Sequence, residues 1–411
     1  MRRPNRRPNY TKTEDIENYE IPPDYLVYKD DAVTVAVDGD TGEEIARNTN
    51  PSTPIQAALD GAQAIAAGGR VHIKSGVYDL DKQLNIETGE SIVLTGNGSS
   101  FGTGHNCGTV LKRGTGFDGS HGTLYSLINV SLSNFFQMRG IALDAYAGTG
   151  TIWRGLLLTT RDSIIHDCSF YGVFAHKALY CSAGDAWIYN NLFEHNGGEG
   201  AINKTGDSSW ICNNVFAHNS TDILIEAAGQ HYIVGNRTYQ PTTWMKFTGS
   251  LSTTIIRDNQ LLDVGTDCFN IPATGVLTDV VIDGNFVTGT PTNFMTEVGG
   301  PTINSLYIRN NFGLDSAATV FNGVTMTNVV VRNNDGYKTE NTGTATILNT
   351  GTDIIVAHGL AATPTVINVT GQHAEVSDLN VGTIGAANFT ITAIGGAVSA
   401  DRDIFWEAKV R

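Results

Sequence analysis

Two carboxylic acids, Glu199 and Asp222, stand 23 residues apart in a chain that repeats itself at the same interval. The segment Trp187-Ile188-Tyr189-Asn190-Asn191-Leu192-Phe193 returns as Trp210-Ile211-Cys212-Asn213-Asn214-Val215-Phe216. Equivalent residues of successive repeats then become neighbours. Two acids brought to about 5 Å suit a retaining glycosidase, in which the neighbour raises one pKa and the two groups divide the roles of acid and nucleophile. His195 and His218, each four residues past Asn191 or Asn214, could serve as the base instead, as in lyase chemistry. The same register gathers His176, Tyr180, Asn203, Glu226, Trp244 and Lys246. These supply polar groups for sugar hydroxyls and one flat indole for a sugar ring, so the set reads as a saccharide surface. Polar residues also line the solvent side of any such repeat, and a purely structural face is the competing reading.

The element that must position these residues is the repeat itself. Its markers are Cys168, Asn191, Asn214, Asn236, Asn259, Asn285, Asn311 and Asn334, each preceded by a short β-branched or aromatic run such as Ile164-Ile165 or Val280-Val281-Ile282. Such a unit is shorter than the roughly 30 residues of a βαβ crossover. It reads as one coil of a parallel β-solenoid, stacked on its neighbours at about 4.8 Å. The marker Asn belongs at a turn, where Asn tolerates left-handed backbone, and a stack of them can form an amide ladder. Counting eight past each marker gives His176, Glu199, Asp222, Trp244 and Asp267. With Ile223, Ile225, Met245 and Phe247 pointing inward, strand alternation sends positions eight, ten and twelve to solvent.

Composition narrows the function. The 411 residues carry 16% charged residues, 46 Gly and a net charge of −15. That balance argues against nucleic acid as the main partner. No apolar run reaches the roughly 18 residues of a membrane span, and no apolar core follows the charged N-terminus, so neither membrane insertion nor a secretory signal is expected. Five Cys, at 107, 168, 181, 212 and 268, show no metal-ligand spacing; no metal or cofactor is expected. A long surface-type solenoid without an export signal fits a virion component released by host lysis.

In chain order, residues 1–23 read as an arm in which Arg2, Arg3, Arg6 and Arg7 precede an acidic run, a docking peptide for a virion tail or capsid protein. Residues 24–50 read as a β-hairpin head, with strands Tyr25–Tyr28 and Val33–Val37 and an Asp38–Glu43 turn. Residues 51–338 hold the shaft. It begins with a helix from Pro54 to Ala67, whose Ile55, Ala58, Leu59, Ala62 and Ile65 recur at helical spacing and which ends at Gly68-Gly69. Gly102 to Gly122 reads as a loop off the shaft. Residues 339–411 read as a β-sandwich of five or six strands, one of them spanning Glu375 to Val381.

The run Ile55-Gln56-Ala57-Ala58-Leu59-Asp60, then Gly68-Gly69-Arg70-Val71-His72-Ile73 and Gly76-Val77-Tyr78, resembles the opening of pectate-lyase-like right-handed β-helix proteins. In that superfamily the helix covers the open end of the solenoid. Val356-Ala357-His358-Gly359-Leu360, Thr363-Pro364 and Phe405-Trp406-Glu407-Ala408 resemble a C-terminal module of viral tail fibres and spikes, which implies trimerisation or glycan contact. Thr266-Asp267-Cys268 is faintly similar to a polygalacturonase step, but the paired Asp and the later Arg-x-Lys are absent, and that activity is not carried over. The expectation is an all-β chain: a right-handed parallel β-helix with a short N-terminal capping helix and a C-terminal β-sandwich. The function it implies is a homotrimeric virion-surface adhesion protein (tail fibre, tailspike or capsid turret) that contacts host-surface polysaccharide. A polysaccharide hydrolase or lyase and a purely structural spike are the alternatives.

Overall fold

The computed structural model of the chain describes residues 22–410 except 88, 99–107, 118–125, 132, 146–153, 173–176, 183, 227–228 and 325–327. Arg2, Arg3, Arg6, Arg7 and His176 lie outside the described residues. The chain is a right-handed parallel β-helix built on three long sheets, of 14, nine and ten strands. Each coil visits them in the same order. Asp162–His166, Ser169–Tyr171 and Lys177–Cys181 lie in the first, second and third sheets. A short fourth sheet, Ser250–Ser252, Val276–Thr278 and Thr302–Ile303, is added in later coils.

The repeated sequence becomes columns. Ile165, Ile188, Ile211, Ile233, Ile256, Ile282 and Ile308 form one inward column of the first sheet, each at most 1% exposed. Phe170, Phe193 and Phe216 stack in the second sheet at 4.7 and 5.2 Å between ring centres. No coil could bury these side chains alone, so each is stabilised by the coils above and below. On the outside of the first sheet, Trp187 lies flat on Trp210, 4.8 Å between centres and 5° between planes.

The marker asparagines form a continuous buried ladder. Asn191 Nδ2 donates to Asn214 Oδ1 at 3.0 Å and to the Ile165 carbonyl at 2.9 Å. The pattern recurs through Asn236, Asn259, Asn285, Asn311 and Asn334. The left-handed residue of this turn is not the marker but the one before it: Asn190 has φ 56°, Asn213 55° and Asp258 56°, with glycine at Gly235 and Gly284. The marker itself is reserved for the ladder, because its amide must both donate and accept.

The helix spans Ser52–Gln63, burying Ile55, Ala58, Leu59 and Ala62 against the first coil. It is shorter at its C-terminal end than the Pro54–Ala67 expectation; Gly68 has φ 85° and turns the chain into the strand Gly69–Ile73. The N-terminal segment has three antiparallel strands, Tyr25–Asp30, Val33–Asp38 and Glu44–Asn48, where the sequence suggested two. Tyr25–Asp30 also pairs in parallel with Gly69–Ile73, which continues the first sheet. The stretch 102–122, expected as a loop, contains the second-sheet strand Thr109–Arg113, with Val110 and Leu111 buried.

Past the shaft lie two three-stranded antiparallel sheets. Glu340–Ile347, Arg402–Lys409 and Val366–Gly371 make one; Asp353–Ala357, Asn388–Ala393 and Leu379–Ile384 make the other. They enclose a separate core of Ile347, Val376, Phe389, Ile391, Ile404 and Trp406. The expected strand Glu375–Val381 is corrected: Ala374–Val376 is a 3-10 turn, capped by His373 Nδ1 accepting from the Glu375 N–H at 3.2 Å, and the strand starts at Leu379.

Candidate functional site

The outer face of the third sheet holds Tyr180, Asn203, Glu226 and Lys246, but Glu199 and Asp222 do not share the expected register. Ile202 pairs with Ile223 and Asn203 with Leu224, which sets Ala201 beside Asp222. The turn after Asn196 carries Gly197-Gly198-Glu199, whereas the turn after Asn219 carries Ser220 alone. Those two extra residues push Glu199 out of the strand and into a projecting turn. Glu199 and Asp222 are therefore not a pair.

Their environments are opposite. The Glu199 side chain is 57% exposed and its carboxylate lies 3.3 Å from Lys177 Nζ. Asp222 is 0% exposed, with Oδ1 accepting from Asn219 Nδ2 at 2.8 Å and Oδ2 accepting from the Thr238 hydroxyl. Burial pushes its carboxyl up to about 8, against the lowering effect of those two hydrogen bonds. Trp244 is likewise 0% exposed, edge-on to Phe269 at 5.1 Å between centres. Strand alternation fails at this position because the chain is still rounding the coil's corner: Asp222 and Ile223, and Trp244 and Met245, are neighbouring residues that are all buried. Trp244 is thus a core residue and offers no face to a sugar, and Asp222 has no access to a substrate.

The alternation holds from the next position on. Tyr180, Asn203, Leu224, Lys246 and Asn270 form one outward column. Asn203 is outward but fully covered, and its Nδ2 donates to Glu226 Oε2 at 2.9 Å. Glu226 Oε2 also lies 3.7 Å from Lys177 Nζ. One ammonium therefore sits between two carboxylates, and the separation of their oxygens is at most the sum of 3.3 and 3.7 Å. Beside them opens a groove of about 500 Å³ lined by Gly197, Gly198, Glu199, Ser220, Thr221, Leu224, Glu226, Lys246 and Thr248.

Two members of this site were missed in the sequence. Lys177 and Arg154 occupy the first position of the third-sheet strands, one coil apart. Arg154 lies over the Tyr180 ring at 4.4 Å and Lys177 Nζ over the same ring at 4.9 Å. Burial pulls the Arg154 guanidinium below its ordinary value, with Tyr180 and Glu199 acting in the opposite sense. The signal was present as a basic residue opening each apolar run, Arg154-Gly155-Leu156 and Lys177-Ala178-Leu179.

His195 and His218 sit in the turn between the second and third sheets, both exposed and left-handed, φ 56° and 54°. Their rings stack at 4.9 Å and 10° between planes, with Tyr171 and Tyr239 edge-on at the two ends. Neither lines the groove. Among the described residues no group of three His, Cys, Asp or Glu is placed to hold a metal ion.

No family model and no curated protein matches the sequence. Solved structures do. The chain is similar to the tailspike protein of E. coli bacteriophage HK620, at 10% identity, covering 89% of this chain and 90% of that one with a TM-score of 0.46. A tailspike of Acinetobacter baumannii bacteriophage Fri1, a capsular polysaccharide depolymerase, matches at 10% identity over 87% and 82% of the two chains, TM-score 0.41. The A-module of the mannuronan C-5 epimerase AlgE6 of Azotobacter vinelandii matches at 16% identity over 69% and 94%, TM-score 0.37. At these identities the likeness is one of fold.

Proposed function

We propose that the chain is a virion-surface adhesion protein that contacts host-surface glycan through the groove on its third sheet. The observation that supports this most is the grouping of Glu199, Glu226 and Lys246 in one groove, with Lys177 and Asn203 bonded to the glutamates behind it. Charged and amide groups held in place by ion pairs are pre-arranged acceptors and donors for sugar hydroxyls. In this reading residues 1–23, with Arg2, Arg3, Arg6 and Arg7, dock to a virion tail or capsid protein, and the C-terminal sheets of residues 339–411 support a homotrimer. Three weak sites on one particle gain avidity without new contacts.

A polysaccharide depolymerase is the second reading, and one observation favours it. Carboxylates in glycosidases stand roughly 5–9.5 Å apart, and the shared Lys177 keeps the nearer oxygens of Glu199 and Glu226 no farther apart than the sum of 3.3 and 3.7 Å, which is compatible with such a pair. The catalytic pair would then be Glu199 and Glu226, replacing Glu199 and Asp222.

One experiment separates the readings. Purified chain is incubated with host capsular and lipopolysaccharide glycans, with new reducing ends, unsaturated-uronate absorbance and binding all recorded. Binding without product is the expected result. Product that disappears in Glu199→Gln or Glu226→Gln establishes the enzyme. Neither binding nor product leaves a structural spike. The homotrimer is checked by light scattering, where the mass of a single chain would contradict it.

A further inference from the structure

We infer that the groove is built for an anionic glycan, with Lys246 as the residue that receives a sugar carboxylate. This deepens the glycan-binding reading and rests on it. Lys246 is half-buried on the outward column, between Leu224 of one coil and Asn270 of the next, and it lines the groove. The two carboxylates that share the groove are already engaged. Lys177 holds both, and Asn203 donates to Glu226 as well. Among the described residues none forms an ion pair or hydrogen bond with Lys246.

Lys177 meets the two glutamates at 3.3 and 3.7 Å, so their charge is answered from behind the groove, and Lys246 is the lining ammonium left to meet the charge of a ligand. A cation placed in this way attracts an anionic group over a neutral one. A neutral sugar seated in the groove would displace water from the Lys246 ammonium and return no counter-charge. A carboxylate would return a charge-assisted hydrogen bond, roughly twice the strength of a neutral one. Lys246 therefore sets specificity by charge, while Lys177 orders the two glutamates.

The test is a binding panel of purified bacterial polysaccharides, neutral and uronate-bearing, measured on the full chain. The tightest uronate-bearing ligand is measured again after carbodiimide–borohydride reduction of its carboxyls to hydroxymethyl groups. The expected result is preference for uronate polymers, a loss of about tenfold or more on carboxyl reduction, and a similar loss in Lys246→Met. Wild type and Lys246→Met should bind the reduced polymer equally, since the two changes remove opposite halves of one contact. The exposed Lys338 serves as control: Lys338→Met should bind as wild type. Preference for neutral polymers, or undiminished binding by Lys246→Met with an unchanged melting curve, overturns the inference and leaves glycan binding standing. Failure to bind any polymer overturns both.

Discussion

Each coil turns twice between its first three strands, and the two turns obey different rules. The turn from first to second sheet keeps one length from Cys168 to Asn334, with a left-handed residue followed by the ladder asparagine. The turn from second to third sheet begins as a similar ladder, in which the Asn196 N–H donates to Asn219 Oδ1 at 2.9 Å. It then departs, with Gly197-Gly198-Glu199 in one coil and Ser220 in the next. The first turn is fixed because each buried amide needs the next one at hydrogen-bond distance, and an inserted residue would strand two polar groups. The second opens to solvent, so added residues cost only loop entropy. Of these two turns, the one that borders the groove is the one that varies in length.

The largest expected effect lies in the invariant turn. Asn236→Ala removes an acceptor for Asn214 and a donor to both the Ile211 carbonyl and Asn259, and should cost roughly 3 kcal/mol in urea unfolding, at 1–3 kcal/mol per stranded group. Stability unchanged within error would show that the ladder is not what fixes this turn.

Next comes Asp222, just beyond the variable turn. Its folded-state pKa, about 8, lies above its ordinary value of 3.8. The carboxyl is therefore neutral in the folded chain where it would be ionised in the unfolded one. Its contribution is intact below about pH 4 and is lost as the pH rises towards 8. Asp222→Asn should gain steadily on wild type as the pH rises across that window. Parallel pH profiles for the two chains would contradict this.

Lys177→Met should weaken glycan binding about tenfold by releasing Glu199 and Glu226, as titration calorimetry would read. The smallest effect belongs to His195→Ala. It removes an exposed stacked ring outside the groove, and both stability and glycan affinity should stay within about 0.5 kcal/mol of wild type.

The same contrast explains what could be read in advance. Period, core columns and ladder were legible because stacking forces equivalent residues into register: Ile188 over Ile165, Asn214 under Asn191. The capping helix was legible from the spacing of Ile55, Ala58, Leu59 and Ala62. The site was legible only in part. Tyr180, Glu226 and Lys246 face outward as expected, but fixed counting from the marker crossed a turn of variable length and aligned Glu199 with Asp222. It also assumed alternation at a corner, which placed Asp222 and Trp244 outside. Lys177, the ammonium that joins the two glutamates, fell one position beyond the count.

The most direct measurement replaces Gly197-Gly198-Glu199 by a single Ser, which gives this coil the turn of its neighbour. Thermal unfolding and binding to the host polysaccharide are then measured on the same protein. The expected result is a melting temperature close to wild type, because ladder and core are untouched, with glycan binding lost. Full binding by the shortened chain would contradict a groove built on the variable turn.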